Sequence, residues 1–153
     1  PTRRSSDLLS QNRTLILDAS HNREGAQTLD ENLARLHTEI GRAPIVVVGA
    51  LGEYRARALL DVIVKHAREI VLLQPAQPRA STVAELQSWL PSSFHGPVRP
   101  GRIEEIFPAP GECALGATGD TIVATGSIYL AGEILERFSH STLVGEGVLQ
   151  DRV

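Results

Sequence analysis

Two short polar segments in this chain stand where chemistry is most easily done, directly behind apolar runs. Leu15-Ile16-Leu17 is followed by Asp18-Ala19-Ser20-His21-Asn22, and Ile122-Val123-Ala124 by Thr125-Gly126-Ser127. A carboxylate at a strand tip, Asp18, can accept hydrogen bonds from a ribose diol. The imidazole of His21 can donate to a phosphate or acyl-phosphate oxygen. Asn22 can cap a following helix, whose N-terminal dipole favours anions. Gly126 permits a tight strand-to-helix turn, and Ser127 can cap that helix or donate to a bound oxyanion. On spacing alone a plainer account fits better: Asp18 and Asn22 satisfy the turn, Ser127 caps its helix, and His21 is a solvated loop residue. The same choice holds for Gly49 and Gly52, as turn glycines or as a phosphate approach, and for Arg79, as a planar fork for an oxyanion or as a surface arginine.

Other chemistries find no support. His21, His37, His66, His95 and His140 have no metal-ligand spacing. Cys113 is the only cysteine and is read as packing, which excludes an internal disulfide and a thiolate cluster and points to a reducing, cytoplasmic setting. No G-x-S-x-G elbow is present. Lys65 is the only lysine, and no G-x-x-x-x-G-K-[ST] phosphate loop occurs in these residues. The net charge of −3, with scattered basic residues, gives no nucleic-acid or membrane-surface stripe. No apolar run approaches the ~18 residues of a membrane span.

The elements that must position these residues alternate between strand and helix, which predicts an α/β fold: a Rossmann-like three-layer domain with a mostly parallel sheet flanked by helices. Strands are expected at 14–18, 45–48, 70–73 and 121–124, with a weak one near Val98. Ala26, Leu29, Leu33, Leu36 and Ile40 put one apolar face on a helix over 24–40. A second helix, 56–67, buries Leu59, Leu60 and Ile63, with Asp61 and Lys65 spaced to pair on its outer face. Thr82-Val83-Ala84-Glu85 is a capping box for a third helix, which buries Leu86, Leu90 and Trp89 and ends at Pro91. Residues 103–107 begin like a helix that Pro108 and Pro110 disturb. A last helix spans 127–138, with Tyr129, Leu130, Ile134, Leu135 and Phe138 as its apolar stripe. In such sheets ligands bind beyond the carboxyl ends of the strands, where Asp18, His21 and Ser127 lie.

With these residues in place, the chain resembles the C-terminal domain of folylpolyglutamate and dihydrofolate synthases, of the Mur ligase superfamily. Residues 15–22 are similar to the family's Leu-Asp-Gly-Ala-His-Asn-Pro segment, and Gly25-Ala26 continues it. Val46-Val47-Val48-Gly49-Ala50-Leu51 looks like its second strand and Gly-x-Leu turn. Pro78-Arg79-Ala80 with Glu85-Leu86 resembles the segment after the third strand. Ile122 to Leu130 is similar to its closing Val-x-Gly-Ser-x-Tyr-Leu motif.

The resemblance implies an ATP-dependent ligase. ATP and Mg²⁺ would activate the carboxylate of a folate or dihydropteroate as an acyl-phosphate, which the amino group of L-glutamate attacks. It implies that Asp18 contacts the nucleotide ribose, with Asn22 beside it, that His21 meets the phosphates or the acyl-phosphate, and that Ser127 lies on the amino-acid side. The phosphate loop and metal ligands would belong to an N-terminal ATPase domain, without which the chain is expected to be inactive. Another Mur-type amide ligase and a non-catalytic Rossmann-like binding module remain as alternatives.

The sequence departs from the pattern at Ser20, in place of Ala, at Arg23, in place of Pro, and at Gly52-Glu53-Tyr54-Arg55, in place of Asp-Lys-Asp. The last departure leaves the second loop without an assigned role. Residues 1–8 read like a translated sequencing adapter, so the domain is expected over 9–138, with native sequence continuing upstream. Residues 139–153 are expected to be a flexible tail.

Overall fold

A computed structural model describes residues 2–4 and 13–146, with side chains described over 13–138. The elements in chain order are β1 (Thr2–Arg4), β2 (Thr14–Asp18), α1 (Arg23–Ile40), β3 (Ile45–Val48), α2 (Glu53–His66), β4 (Glu69–Leu73), α3 (Val83–Trp89), β5 (Val98–Gly101), α4 (Ile103–Ile106), β6 (Thr121–Thr125) and α5 (Ile128–Glu146). Their sheet order is β1-β2-β6-β3-β4-β5. The five strands from β2 to β5 in that order are parallel, and β1 runs antiparallel at the edge.

Continuous apolar runs make the central strands, because both faces of a parallel sheet are covered. Alternate residues enter two separate cores. Ile16, Val46, Val48, Ile70, Leu72 and Val123 pack under α1, α2 and α3, against Leu29, Leu33, Leu59, Leu60, Ile63 and Leu86. Leu15, Leu17, Val47, Val71, Leu73, Ile122 and Ala124 pack under α4 and α5, against Ile106, Leu130, Ile134 and Phe138. Each fully buried Leu or Ile contributes roughly 1.5–3 kcal/mol. Phe107 and Phe138 meet edge to face at 5.6 Å. The three-layer α/β architecture is the expected one.

Several local expectations change. Helix α2 starts at Glu53, ahead of the apolar pattern. Its cap, Gly52, contributes no side-chain bond, but Glu53 pairs with Arg57 one turn on, at 2.8 Å. Lys65 does not pair with Asp61. It crosses to Asp30 on α1 at 2.8 Å, beside His66 Nε2 at 2.6 Å from the same carboxylate, because α1 and α2 lie side by side. The capping box at Thr82 and Glu85 forms as expected, but α3 is short and fully buries only Leu86; Trp89 and Leu90 stay partly exposed. Tyr129 is 46% exposed, outside the α5 stripe.

Regular structure also extends toward both ends of the described residues. Helix α5 continues past Phe138 to Glu146, since Ser139 to Val144 contains no Gly or Pro to stop it. Thr2–Arg4, set aside as adapter sequence, pairs with Ile16 to Asp18. Such pairing uses backbone groups of an open edge and requires no particular side chains. Residues 1, 5–12 and 147–153 lie outside the described residues, among them the start of the domain expected over 9–138. No described helix is long and apolar enough to cross a membrane.

At the amino ends of the strands, Asp120 is buried and receives Arg68 at 2.8 Å, Arg42 at 3.0 Å and the Ala117 N–H at 2.7 Å. Burial alone would push its carboxyl up; these three donors outweigh burial and hold it below the ordinary carboxylate value.

Candidate functional site

The strand order creates the site. The helices after β2, β3 and β4 cover one face of the sheet, whereas α5, after β6, covers the other. Strand β6 lies between β2 and β3, so the loops at its carboxyl end part to opposite faces. A crevice opens at such a switch point.

Here the crevice is a cleft of about 150 Å³ lined by His21, Leu51, Arg55, Arg79, Ser127 and Tyr129, with Gly126 at its base and Ile128 on its rim. Its walls are laced by hydrogen bonds between loops. Gly126 N–H donates to the Ser20 carbonyl at 3.0 Å, and Gly49 N–H to the Thr125 carbonyl at 3.2 Å. Ser81 N–H donates to the Ala50 carbonyl at 2.8 Å, while the Ser81 hydroxyl oxygen accepts from Gly52 N–H at 2.9 Å. Gly126 has φ +108°, and any Cβ there would collide with the Gly49 carbonyl oxygen. Only glycine serves at this crossing.

The structure brings together some of the candidate residues and separates others. His21 and Ser127 share the cleft. His21 Nδ1 lies 2.9 Å from the Ala19 carbonyl oxygen. A carbonyl can only accept, so Nδ1 carries the hydrogen and Nε2 is the nitrogen left for a ligand. Ser127 is buried and caps α5, its oxygen accepting from Tyr129 N–H at 3.0 Å and Leu130 N–H at 3.4 Å. Its own hydroxyl hydrogen is not used in either bond.

Asp18 does not line this cleft. It is 3% exposed, and its Oδ1 accepts from Ser20 N–H at 2.8 Å and from the Thr125 hydroxyl at 3.0 Å. It borders a separate hollow of about 120 Å³ beneath α1, with Leu29, Leu33 and Val123. Asn22 caps α1, accepting from Gly25 N–H at 2.8 Å.

The cleft adds residues to which the spacing assigned nothing. Arg55 projects from the first turn of α2, and its only sequence signal is its place just after Gly52. Tyr54 beside it is 69% exposed and accepts a hydrogen bond from Arg23 at 3.4 Å, which raises the Arg23 guanidinium pKa further. The two departures from the family pattern, at Arg23 and at Tyr54, therefore touch. Arg79, one of two readings in the sequence, lies in the cleft wall. Cys113 is buried among apolar side chains, and that burial pushes its thiol up. Among the described residues no three His, Cys, Asp or Glu side chains form a group that could hold a metal ion.

No family model and no curated protein matches the sequence. Solved structures do. Mycobacterium tuberculosis folylpolyglutamate synthase complexed with ADP is 25% identical, with a TM-score of 0.62 over 82% of this chain and 30% of that one. E. coli FolC in complex with DHPP and ADP is 17% identical, with a TM-score of 0.68 over 88% of this chain and 31% of that one. A bifunctional folylpolyglutamate/dihydrofolate synthase from Yersinia pestis, complexed with AMPPNP and Mn ion, is 19% identical, with a TM-score of 0.62 over 86% and 30%. The chain thus spans about 30% of the length of these enzymes. It shares the α/β fold of folylpolyglutamate and dihydrofolate synthases, matching their Mur ligase-type C-terminal domain.

Proposed function

We propose that this chain is the C-terminal part of an ATP-dependent folate:L-glutamate ligase, and that its strand-end cleft is half of the active site. The observation that carries the reading is the cleft itself: His21, Ser127 and two arginines at the switch point, on a fold shared with folate ligases. Small-molecule sites generally run from about 300 to 1,000 Å³, so an open cleft of about 150 Å³ suits a site completed by another wall. An N-terminal ATPase domain, carrying the phosphate loop, is the proposed second wall.

In this reading ATP transfers its γ-phosphoryl group to a carboxylate of folate or dihydropteroate, releasing ADP. The glutamate amine then attacks the acyl-phosphate carbon, the amide C–N bond forms, inorganic phosphate leaves with the electrons of the broken C–O bond, and the proton shed by the amine nitrogen passes to the departing phosphate or to water. His21 Nε2 sits where it can meet a phosphate or acyl-phosphate oxygen, as a donor when the ring is protonated. The Ser127 hydroxyl hydrogen can go to a ligand oxygen while its oxygen caps α5. Asp18 would meet the ribose from the end of β2, and Asn22 acts by shaping the α1 terminus. In this reading Mg²⁺ is held mainly by the N-terminal domain; among the described residues no three His, Cys, Asp or Glu side chains gather to hold one. We place the reaction in the cytoplasm, in keeping with a single, buried cysteine.

The test is to join this chain to the sequence that precedes it in its gene and to assay ATP-dependent glutamate addition to dihydropteroate and to tetrahydrofolate. The joined protein is expected to ligate one or both, and the chain alone neither. Activity of the isolated chain, or an upstream region with no nucleotide-binding domain, would overturn the reading. The second result would favour a binding module.

A further inference from the structure

Most arginines with described side chains find a partner: Arg23 has Tyr54, Arg42 and Arg68 have Asp120, Arg57 has Glu53, Arg99 has Glu69, and Arg137 has the Phe107 carbonyl. Arg55, Arg79 and Arg102 make no side-chain hydrogen bond or ion pair with a described residue, and two of the three, Arg55 and Arg79, line the same small cleft. The nearest acidic neighbour in sequence, Glu53, is already engaged by Arg57. The cleft therefore gathers two full positive charges and an imidazole with no lining carboxylate, in a chain of net charge −3.

Two like charges held together are unfavourable unless an anion joins them. Their placement is not left to flexible loops. Ser81 is buried and bonds Ala50 through its N–H and Gly52 through its oxygen, so the α2 start that bears Arg55 and the loop that bears Arg79 are tied to each other. The Arg79 backbone is further tied to the Gln77 side chain at 2.6 Å. A guanidinium presents a rigid planar fork that matches an oxyanion, and two forks on one cleft match a group with oxygens to share.

We propose that Arg55 and Arg79 form a two-arginine clamp for a single oxyanionic group, a carboxylate or a phosphate, beside His21. The clamp deepens the ligase reading by naming residues that hold one charged end of a substrate. It rests on the cleft being a ligand site and not on ligation itself.

The test is direct binding to this chain. Inorganic pyrophosphate and glutarate are titrated separately at low ionic strength and followed by calorimetry and by arginine side-chain NMR. Saturable binding of at least one is expected, weakening with added salt. Arg55→Gln and Arg79→Gln should each weaken it about tenfold or more, while Arg102→Gln, at an exposed arginine outside the cleft, should not. Both arginines are exposed, so the variants should fold, and a circular-dichroism melt checks this. Preference for pyrophosphate assigns the clamp to a phosphate, and preference for glutarate to a carboxylate. No saturable binding of either, or binding unchanged in both variants, overturns the proposal. Because binding is read without turnover, a failed clamp and a failed ligase reading give different results.

Discussion

The Thr125 hydroxyl donates to Asp18 Oδ1 at 3.0 Å, joining the carboxyl ends of β6 and β2, which lie more than a hundred residues apart in sequence. Both groups are buried. Asp18→Ala strands this hydroxyl and the Ser20 N–H and is expected to cost about 2–3 kcal/mol in urea unfolding. Asp18→Asn keeps an acceptor oxygen for both donors and should cost no more than about 1 kcal/mol. In the joined ligase, Asp18→Asn then isolates the nucleotide role: a raised KM for ATP with a stable fold supports it, and an unchanged KM assigns Asp18 to architecture alone.

His21 is half-exposed, and its ring is held through Nδ1 by the Ala19 carbonyl. His21→Ala in the joined ligase should lower kcat by about a hundredfold, in the range of a lost acid–base or charge-stabilising group. The melting temperature should move by no more than a few degrees. Unchanged turnover would return His21 to a loop-shaping role.

Acid should weaken the fold through two carboxyls. Asp30 is held below its ordinary value by hydrogen bonds from His66 and Lys65. Asp120 is also held low, because Ala117 N–H, Arg68 and Arg42 outweigh its burial. Depressed carboxyls bind fewer protons in the folded state than in the unfolded one. Their contribution is complete above the ordinary value of about 3.9 and is lost as pH falls through the lower folded values. Melting temperature should therefore hold from neutral pH to about pH 5 and fall toward pH 3. The double variant Asp30→Asn, Asp120→Asn should start lower and fall less. Asp120→Asn alone should cost about 2 kcal/mol at pH 7.

Gly126→Ala tests the crossing of the loops. It combines a left-handed φ with a collision against Gly49, so a loss of about 3 kcal/mol or more is expected, with weaker anion binding in whatever remains folded. A melt within a degree or two of the wild type would contradict the described crossing.

Much of this fold is legible in the sequence because the buried parallel strands are written as uninterrupted apolar runs, and α1 as apolar residues three and four apart. Helix α2 hides its first turn, since Gly52 supplies no capping side chain and Tyr54 and Arg55 point to no core. The cross-helix partner of Lys65 is invisible to spacing, because Asp30 comes from α1, the helix lying beside α2. The site shows the same division. His21 and Ser127 can be picked out as polar residues behind strands. That Asp18 turns inward to Thr125, while Arg55 and Arg79 share one cleft, follows from β6 entering between β2 and β3. The last strand in sequence becomes a central strand in space, and local pattern carries no record of that.

The sheet also ends in a particular way on both sides. On one side β1 occupies the backbone edge of β2. On the other, outermost strand β5 carries Pro100, which has no N–H to offer, next to Arg99 paired with Glu69. Among the described residues, a second molecule would find no long, flat, apolar strand at either margin on which to template further strands. Self-association through these sheet edges is thereby disfavoured.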